Sequence, residues 1–335
     1  MSRFLHNGQP CRREFLRRAW SGFATLPFVH LLHQQRLRDG GGAIAPHYPP
    51  KVRSVIFLYM DGGPSQVDTF DPKPLLQRDD GKPFPMPTEP TQFDSKGNTL
   101  GSPWKFQQHG ESGMWISDLF PYLSRCADRL AVVRSMTSDF SEHTNANYFL
   151  HTGHGLQGRP SMGAWVGYGL GSENENLPAF VVLNGGLIPP GGTSNFHSGF
   201  LPASSQASLL AFRGDPLPNV KPREAEAAAQ RRKLDLITAL DEHSQRELGR
   251  ADALEAAIKN QELAFRMQAE VPELFDIEHE LTGESPAMRR LYGLDADYEH
   301  TRTFGKQCLV ARRLVERGVR FIELTCPNTG HDRWD

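Results

Sequence analysis

Apolar residues in this chain are gathered in short unbroken runs. Residues 54–60 and 179–183 are runs of this kind, and each ends at a glycine-containing segment. Residues 130–133 and 319–324 follow the same pattern. Because continuous apolar runs with many β-branched residues are typical of strands buried on both faces, we predict that these runs are strands of a parallel sheet.

Helical spacing of apolar residues fills the segments between these strands. Residues 223–270 contain no proline and are predicted to form two helices, separated at Gly249. Residues 303–317 are predicted to form another helix, which leads through Gly318 into the last strand. Helices that alternate with strands indicate the α/β class, so we expect a mostly parallel central sheet with helices on both faces.

Two segments rich in glycine and proline, residues 72–113 and 184–218, interrupt this pattern. Loops of such length inside a compact domain are usually functional or mobile. We expect both to lie over the carboxyl ends of the strands, where α/β proteins build their binding sites.

Positive charge is concentrated at the start of the chain. Residues 1–53 carry nine Lys or Arg against two acidic residues, so this segment is +7 and the remainder is −9, for a net charge of −2. A negatively charged body excludes nucleic acid as an expected partner. No run of 18 apolar residues occurs, so no transmembrane segment is predicted.

The basic segment has the order of a twin-arginine export signal. Arg12-Arg13-Glu14-Phe15-Leu16 is followed by a mildly apolar stretch and then by the small residues Ala43-Ile44-Ala45. We therefore predict that residues 1–45 are a signal and linker, and that residues 46–335 are an exported domain, periplasmic or secreted. An amphipathic basic helix lying on the body is the alternative interpretation.

Asp61 ends the first predicted strand and is followed by Gly62 and Gly63. A carboxylate there lies at the carboxyl edge of the sheet, with little side-chain bulk to obstruct a metal ion or a phosphate, and hard cations prefer oxygen ligands. An aspartate that only begins a turn is the other interpretation of this Asp-Gly pair.

A second cluster of polar residues follows the predicted strand at residues 130–133. Ser141 is predicted as the N-cap of a short helix that ends at Gly153, so His143 and Thr144 fall in its first turn. Free backbone N–H groups there favour anions, so these side chains could meet a phosphoryl or sulfuryl group or help to hold its metal. A capping role for Thr144 and a polar surface role for His143 are the alternative.

Two further residues are candidates for the same chemistry. Arg159 can clamp an oxyanion, and Ser161 is expected to cap the next helix. Asp335 lies beyond the last predicted strand, again at the carboxyl edge, so it could share a site with Asp61.

Several motifs together resemble the bacterial family called domain of unknown function 1501. They are Arg12-Arg13-Glu14-Phe15-Leu16 and residues 60–74, 159–165 and 311–321, in the order in which the family has them. The family is similar to the alkaline phosphatase and sulfatase superfamily, whose members hydrolyse phosphate or sulfate esters with one or two bound metals.

The resemblance implies an alkaline-phosphatase-like fold, a divalent metal ion, zinc, calcium or magnesium, and a small-molecule or glycan ester as substrate, with Asp61 as the metal carboxylate of the first strand. Together with the residues above, it leads us to predict Asp61, His143 and Asp335 as metal ligands, Thr144 and Arg159 as catalytic residues, and Thr144 or a bound water as the nucleophile. His143 as a ligand with no covalent step is an equal alternative. No C/S-x-P-x-R pattern occurs, so the formylglycine chemistry of sulfatases is not expected.

The sequence leaves two functions open. One is a metal-dependent ester hydrolase, and the other is a non-catalytic exported binding or scaffold protein that keeps the fold. In the family, Trp-Asp-x-His continues towards further metal residues, whereas this sequence stops at Trp334-Asp335. We therefore expect residues 46–335 to be a domain that is incomplete at its C-terminus.

Overall fold

The computed structural model describes residues 48–87, 97–212, 224, 226–248, 252–277 and 283–330. The strands are β1 Val55–Leu58, β2 Phe106–His109, β3 Met114–Ser117, β4 Phe180–Asn184, β5 Ser208–Ala211 and β6 Phe321–Leu324. The helices are α1 Gln66–Thr69, α2 Pro74–Arg78, α3 His143–Thr152, α4 Met162–Leu170, α5 Ala227–Leu248, α6 Asp252–Phe275, α7 Pro286–Leu291 and α8 Glu299–Glu316. Short 3-10 helices occupy Leu123–Arg129, Gly192–Phe196 and Ala203–Ser205.

Four strands form the central sheet in the order β1-β6-β4-β5, and every neighbouring pair is parallel. The register places Phe57 of β1 and Val182 of β4 on either side of Glu323 in β6. β2 and β3 form a separate antiparallel pair. The predicted α/β class with a mostly parallel sheet is therefore confirmed.

Alternate residues of the central strands bury two separate cores, because successive side chains of a strand point to opposite faces. On one face, Val181 and Leu183 pack with α6 and α8. On the other face, Phe180 and Val182 pack with Val166 of α4. Helices therefore cover both faces of the sheet, as the sequence predicts.

Two predictions about strands are wrong. Residues 130–133 form no strand, because this segment leaves the 3-10 helix as unpaired chain, and Val133 is 64% exposed. β1 forms where the apolar run predicts it, but it is an edge strand of the described sheet and is not buried on both faces: Val55, Ile56 and Leu58 are exposed. The predictions for β4 and β6 are confirmed, including their burial.

The helical predictions are confirmed with shifted ends. Residues 223–270 contribute to two helices, α5 and α6, and the predicted break at Gly249 lies outside the described residues. α8 begins four residues before the predicted position 303, and Gly318 with a φ of 83° turns the chain towards β6. The sequence analysis predicts none of β2, β3 and β5; β2 and β5 lie inside the two segments predicted as loops, and β3 directly follows the first of them.

Gly305 marks a close approach of α8 to its neighbours. It is buried, and a Cβ added there would overlap the main-chain carbonyl oxygen of Tyr292. We expect Gly305→Ala to lower the free energy of unfolding by about 1–3 kcal/mol, although alanine is the better helix former, because a backbone neighbour cannot turn away. Urea denaturation of the variant measures this change.

Gly169→Ala in α4 is the matched control for this measurement. An added Cβ at Gly169 has no neighbouring atom within 4 Å, so helix propensity alone should stabilise the protein by up to about 1 kcal/mol. A Gly305→Ala variant that is stabilised as much as Gly169→Ala would contradict the packing of α8.

Two predictions concern parts of the chain outside the described residues. These are the export signal and linker at residues 1–45, and Asp335. Within the described part, no helix is both long enough and apolar enough to cross a membrane.

Candidate functional site

The carboxyl ends of β1, β4 and β6 meet at one edge of the sheet, and Asp61 follows β1 there. Its side chain is fully buried. Gly62 and Gly63 have φ angles of 81° and 83°, a left-handed conformation that glycine adopts without strain, so the chain turns directly after the carboxylate. Thr325, just after β6, accepts a hydrogen bond of 3.2 Å from the backbone N–H of Gly185. The loop after β4 is thereby held at the same edge.

Helix α3 carries His143 and Thr144 in its first turn, as predicted. Its N-cap is Glu142 and not the predicted Ser141, because the longer carboxylate reaches the backbone N–H groups of Thr144 at 2.9 Å and Asn145 at 3.1 Å. The hydrogen bond from Thr144, and after it the one from Asn145, lowers the pKa of the Glu142 carboxyl group. The N–H groups that were expected to meet an anion are therefore bound to a carboxylate of the chain itself.

The contacts of α3 place its first turn towards the carboxyl edge of the sheet. Nε2 of His151, near the end of the helix, lies 2.7 Å from Oε1 of Glu323, within β6. One turn earlier, the side-chain amide of Asn147 donates a hydrogen bond of 3.1 Å to the carbonyl of Pro190, which lies in the loop after β4. The first turn of α3 therefore lies towards the edge where Asp61 is buried.

Helix α4 has the same direction. Its predicted N-cap, Ser161, is confirmed, and its hydroxyl accepts the backbone N–H of Ala164 at 3.4 Å. At the other end of α4, the carbonyl of Gly171 accepts a hydrogen bond of 3.0 Å from Arg320, which precedes β6 at the amino edge of the sheet. Arg159, two residues before the N-cap, therefore lies on the carboxyl side of this face.

The predicted site residues differ in their exposure. Asp61 is buried, Thr144 is half-buried, and His143 and Arg159 are exposed. The described residues contain no group of three or more His, Cys, Asp or Glu side chains arranged to hold a metal ion. Because Asp335 lies outside the described residues, the predicted ligand set of Asp61, His143 and Asp335 stays a prediction.

A buried polar pair that the sequence did not predict joins α3 to the centre of the sheet. Nε2 of His151 lies 2.7 Å from Oε1 of Glu323, and the two side chains are 1% and 2% exposed. Rings of Phe57, Tyr59 and Phe196 surround the imidazole, with centroid distances of 5.9, 5.1 and 5.6 Å. A carboxylate in such an apolar setting is stable only with a partner, so His151 accounts for Glu323 in the core.

The geometry places one proton between the two side chains. Nδ1 of His151 lies 2.7 Å from the carbonyl oxygen of Asn147, which only accepts, so Nδ1 is a donor. The contact with Glu323 then holds a single proton, on the imidazole or on the carboxyl. Burial lowers the pKa of His151, but the hydrogen bond and charge of Glu323, with the Asn147 carbonyl, raise it overall. Burial raises the pKa of Glu323, and His151 offsets only part of this.

These pKa shifts predict how stability changes with pH. Both groups hold a proton more tightly in the folded protein, so their contribution is present below the ordinary pKa values of 4.5 and 6.5 and is lost as pH rises through the raised values. We expect the free energy of unfolding of the wild type, minus that of a His151→Leu/Glu323→Leu variant, to fall between pH 5 and pH 9. Urea denaturation across this range measures it, and a difference that rises with pH would contradict the shared proton.

The sequence does contain a signal for this pair. Glu323 is the one charged residue within β6, and a carboxylate in a buried strand indicates a buried partner. What the sequence lacks is the identity of that partner, because His151 is 172 residues away.

Together, the helices on both faces of a parallel sheet and the turn after Asp61 define a three-layer α/β protein with a candidate site at the carboxyl edge. The chain belongs to the family described as "Protein of unknown function (DUF1501)", which it matches over residues 52–335. The family resemblance inferred from the motifs is thus confirmed. Comparisons with curated proteins and with solved structures gave no match.

Proposed function

We propose that the protein is a metal-dependent hydrolase of phosphate or sulfate esters, with an alkaline-phosphatase-like fold and its site at the carboxyl edge of the sheet. One observation carries the proposal: the buried carboxylate of Asp61 and the first turn of α3, with His143 and Thr144, lie towards the same edge of the sheet. Oxygen and imidazole donors at a strand end are suited to a divalent cation.

The residues of the chain fit such an ion through the chemistry of their donors. Asp61 and His143 would hold it, and Asp335 completes the set that the sequence predicts. A bound divalent ion would polarise the ester and lower the pKa of an attacking hydroxyl or water.

Thr144 is the proposed nucleophile, and it occupies the second position of α3. Its hydroxyl oxygen would form a bond to phosphorus or sulfur while the bond to the ester oxygen breaks, and the leaving alcohol takes up a proton from solvent as the hydroxyl proton passes to solvent. Water would then hydrolyse the Thr144 ester, which releases phosphate or sulfate and restores the hydroxyl. The carboxylate of Glu142 holds the N–H groups of Thr144 and Asn145, so an anionic substrate must displace this carboxylate to use them. Arg159, exposed on the same side, would clamp the oxyanion.

Turnover of p-nitrophenyl phosphate and p-nitrophenyl sulfate tests this function. After chelation and readdition of zinc, magnesium or calcium, we expect Asp61→Asn and His143→Gln each to lower kcat/KM by about 100-fold or more, since loss of even an outer-shell partner costs about 10–100-fold. His143 is exposed, so its substitution should leave the fold intact.

Asp118→Asn and His243→Gln are the matched controls, because both residues are exposed and neither belongs to the proposed set of ligands and catalytic residues. They should keep full activity. A wild-type protein without metal-dependent turnover, or a fully active His143→Gln variant, would contradict the proposed function.

A non-catalytic binding or scaffold protein is the second candidate. The capping of α3 by Glu142 favours it, because this contact occupies the position in which a hydrolase would receive the anionic group of its substrate. The same assay separates the two candidates, since Glu142→Gln should raise activity in a hydrolase that must displace the carboxylate and change nothing in a protein without activity.

A further inference from the structure

A large groove lies at the opposite end of the sheet from the proposed hydrolase site. It has a volume of about 920 Å³ and reaches Phe180 and Ser208, the first residues of β4 and β5, so it opens at the amino edge. Ligand sites in proteins commonly have volumes of roughly 300–1,000 Å³. The groove is therefore large enough for an extended ligand, and neither the motifs nor the proposed function uses it.

One wall of the groove is a single face of α6. Lys259, Leu263, Arg266 and Met267 all line it, and their spacing of four, seven and eight residues places them on one side of a helix. Met267 is buried in the core, whereas the two basic residues are exposed. Lys259 and Arg266 are seven residues apart, so their Cα atoms are separated by about 10 Å along the helix axis.

The facing wall is polar and uncharged. It is formed by the 3-10 helix Ala203–Ser205 and the start of β5, and its polar side chains are those of Ser204, Ser205, Gln206 and Ser208. Hydroxyl and amide groups both donate and accept hydrogen bonds. A ligand with many hydroxyl groups would be matched along this wall.

Exposed aromatic rings continue the groove across α4. Tyr168 lines the groove and is 50% exposed, and its ring lies 6.4 Å from that of Trp165, which is 43% exposed. Phe200, 50% exposed, lies 5.8 Å beyond Trp165. Contiguous exposed rings on a protein surface mark an interaction site. The negative face of an aromatic ring attracts the polarised C–H groups on the face of a sugar ring.

We propose that this groove binds an acidic oligosaccharide. Lys259 and Arg266 would pair with two anionic groups of the sugar chain, the serine and glutamine wall would bind its hydroxyls, and Tyr168 and Trp165 would pack on its ring faces. This binding function is independent of the proposed hydrolase activity, because the two sites lie at opposite edges of the sheet.

The body of the protein also argues against a nucleic acid as the occupant. Outside residues 1–53 the chain has a net charge of −9. Glu175 also lines the groove, so its two cations stand against one carboxylate there and in an otherwise acidic protein. Binding to such a surface depends on a few local pairs and on hydroxyl and ring contacts, and less on total charge. These features favour a sugar chain with well-separated charges.

Calorimetric titration of the full chain at low ionic strength tests the proposal with four probes: a galacturonate hexamer, a sulfated hexasaccharide, neutral maltohexaose and hexaglutamate. We expect one or both acidic sugars to bind, and the two acidic probes distinguish carboxylate from sulfate as the anionic group. Lys259→Gln, Arg266→Gln and Tyr168→Ala should each weaken binding about tenfold, the loss of one charge-assisted or stacking contact.

Arg246→Gln is the matched control, since Arg246 is an exposed helical cation that does not line the groove. It should leave binding unchanged, and all variants should keep the melting temperature of the wild type. Absence of binding by both acidic sugars would overturn the proposal. Equal binding of hexaglutamate with no effect of Tyr168→Ala would also overturn it, because the groove would then recognise charge alone.

Discussion

Replacement of His151 with leucine is expected to lower the free energy of unfolding by about 3–5 kcal/mol, the usual cost of removing one partner from a buried charged pair. The cause is Glu323, which is 2% exposed and would remain in the core without the imidazole that shares its proton. Chemical denaturation at pH 7 measures the loss. Glu323→Leu should cost less, about 1–3 kcal/mol, because the neutral imidazole that remains leaves only one unsatisfied ring nitrogen.

The double variant His151→Leu/Glu323→Leu is the decisive control. Replacing both partners of a buried pair by apolar side chains is often neutral or stabilising, so we expect the double variant to lie within about 1.5 kcal/mol of the wild type. The carbonyl of Asn147 stays satisfied by the helix itself. Losses that simply add would show that the two side chains are not coupled, and the shared proton would then be wrong.

Arg313 gives the second large effect. Its side chain is buried, and the two N–H groups of Nη1 are shared among three main-chain carbonyls at the end of α6, those of Glu273, Leu274 and Asp276, at 3.0, 3.1 and 3.1 Å. Its Nε donates to the carboxylate of Glu284 at 3.1 Å. Because the last carbonyls of a helix have no partner within the helix, Arg313→Met should cost about 3–5 kcal/mol in unfolding free energy.

Arg312 provides the comparison for this measurement. It contacts the same carboxylate of Glu284 at 2.5 Å, but its side chain is 29% exposed and it binds none of the three carbonyls. We expect Arg312→Met to cost less than about 1 kcal/mol, as for partly exposed ion pairs. Hydrogen exchange should show faster opening of residues 266–275 in Arg313→Met only. Equal losses in the two variants would contradict the capping of α6 by Arg313.

The central sheet was largely predictable because its strands have a local signature. β4 and β6 are unbroken apolar runs, and the helix before β6 leads into it through a glycine. The same signature predicts a strand at residues 130–133, where the structure has none, because a short apolar run does not show whether a partner strand lies beside it. The exposure of β1 could not be predicted from its own residues, since the order of strands in the sheet decides which strand lies at the edge.

The candidate site was predictable only where it depends on local order. The position of Asp61 at a strand end and of His143 in the first turn of a helix follow from neighbouring residues. The capping by Glu142 depends on side-chain length, and the pairing of His151 with Glu323 depends on tertiary packing between residues 172 positions apart. Periodicity carries no information on either contact.

Metal binding by the full-length protein tests the central claim most directly. The protein is treated with a chelator and then dialysed against zinc, magnesium or calcium. Elemental mass spectrometry then measures the number of metal ions that remain bound per chain. The proposed site predicts bound metal in the wild type and in Asp118→Asn, and its loss in Asp61→Asn and His143→Gln. No bound metal in the wild type, or the same amount in His143→Gln and Asp61→Asn as in the wild type, would contradict a metal site at the carboxyl edge.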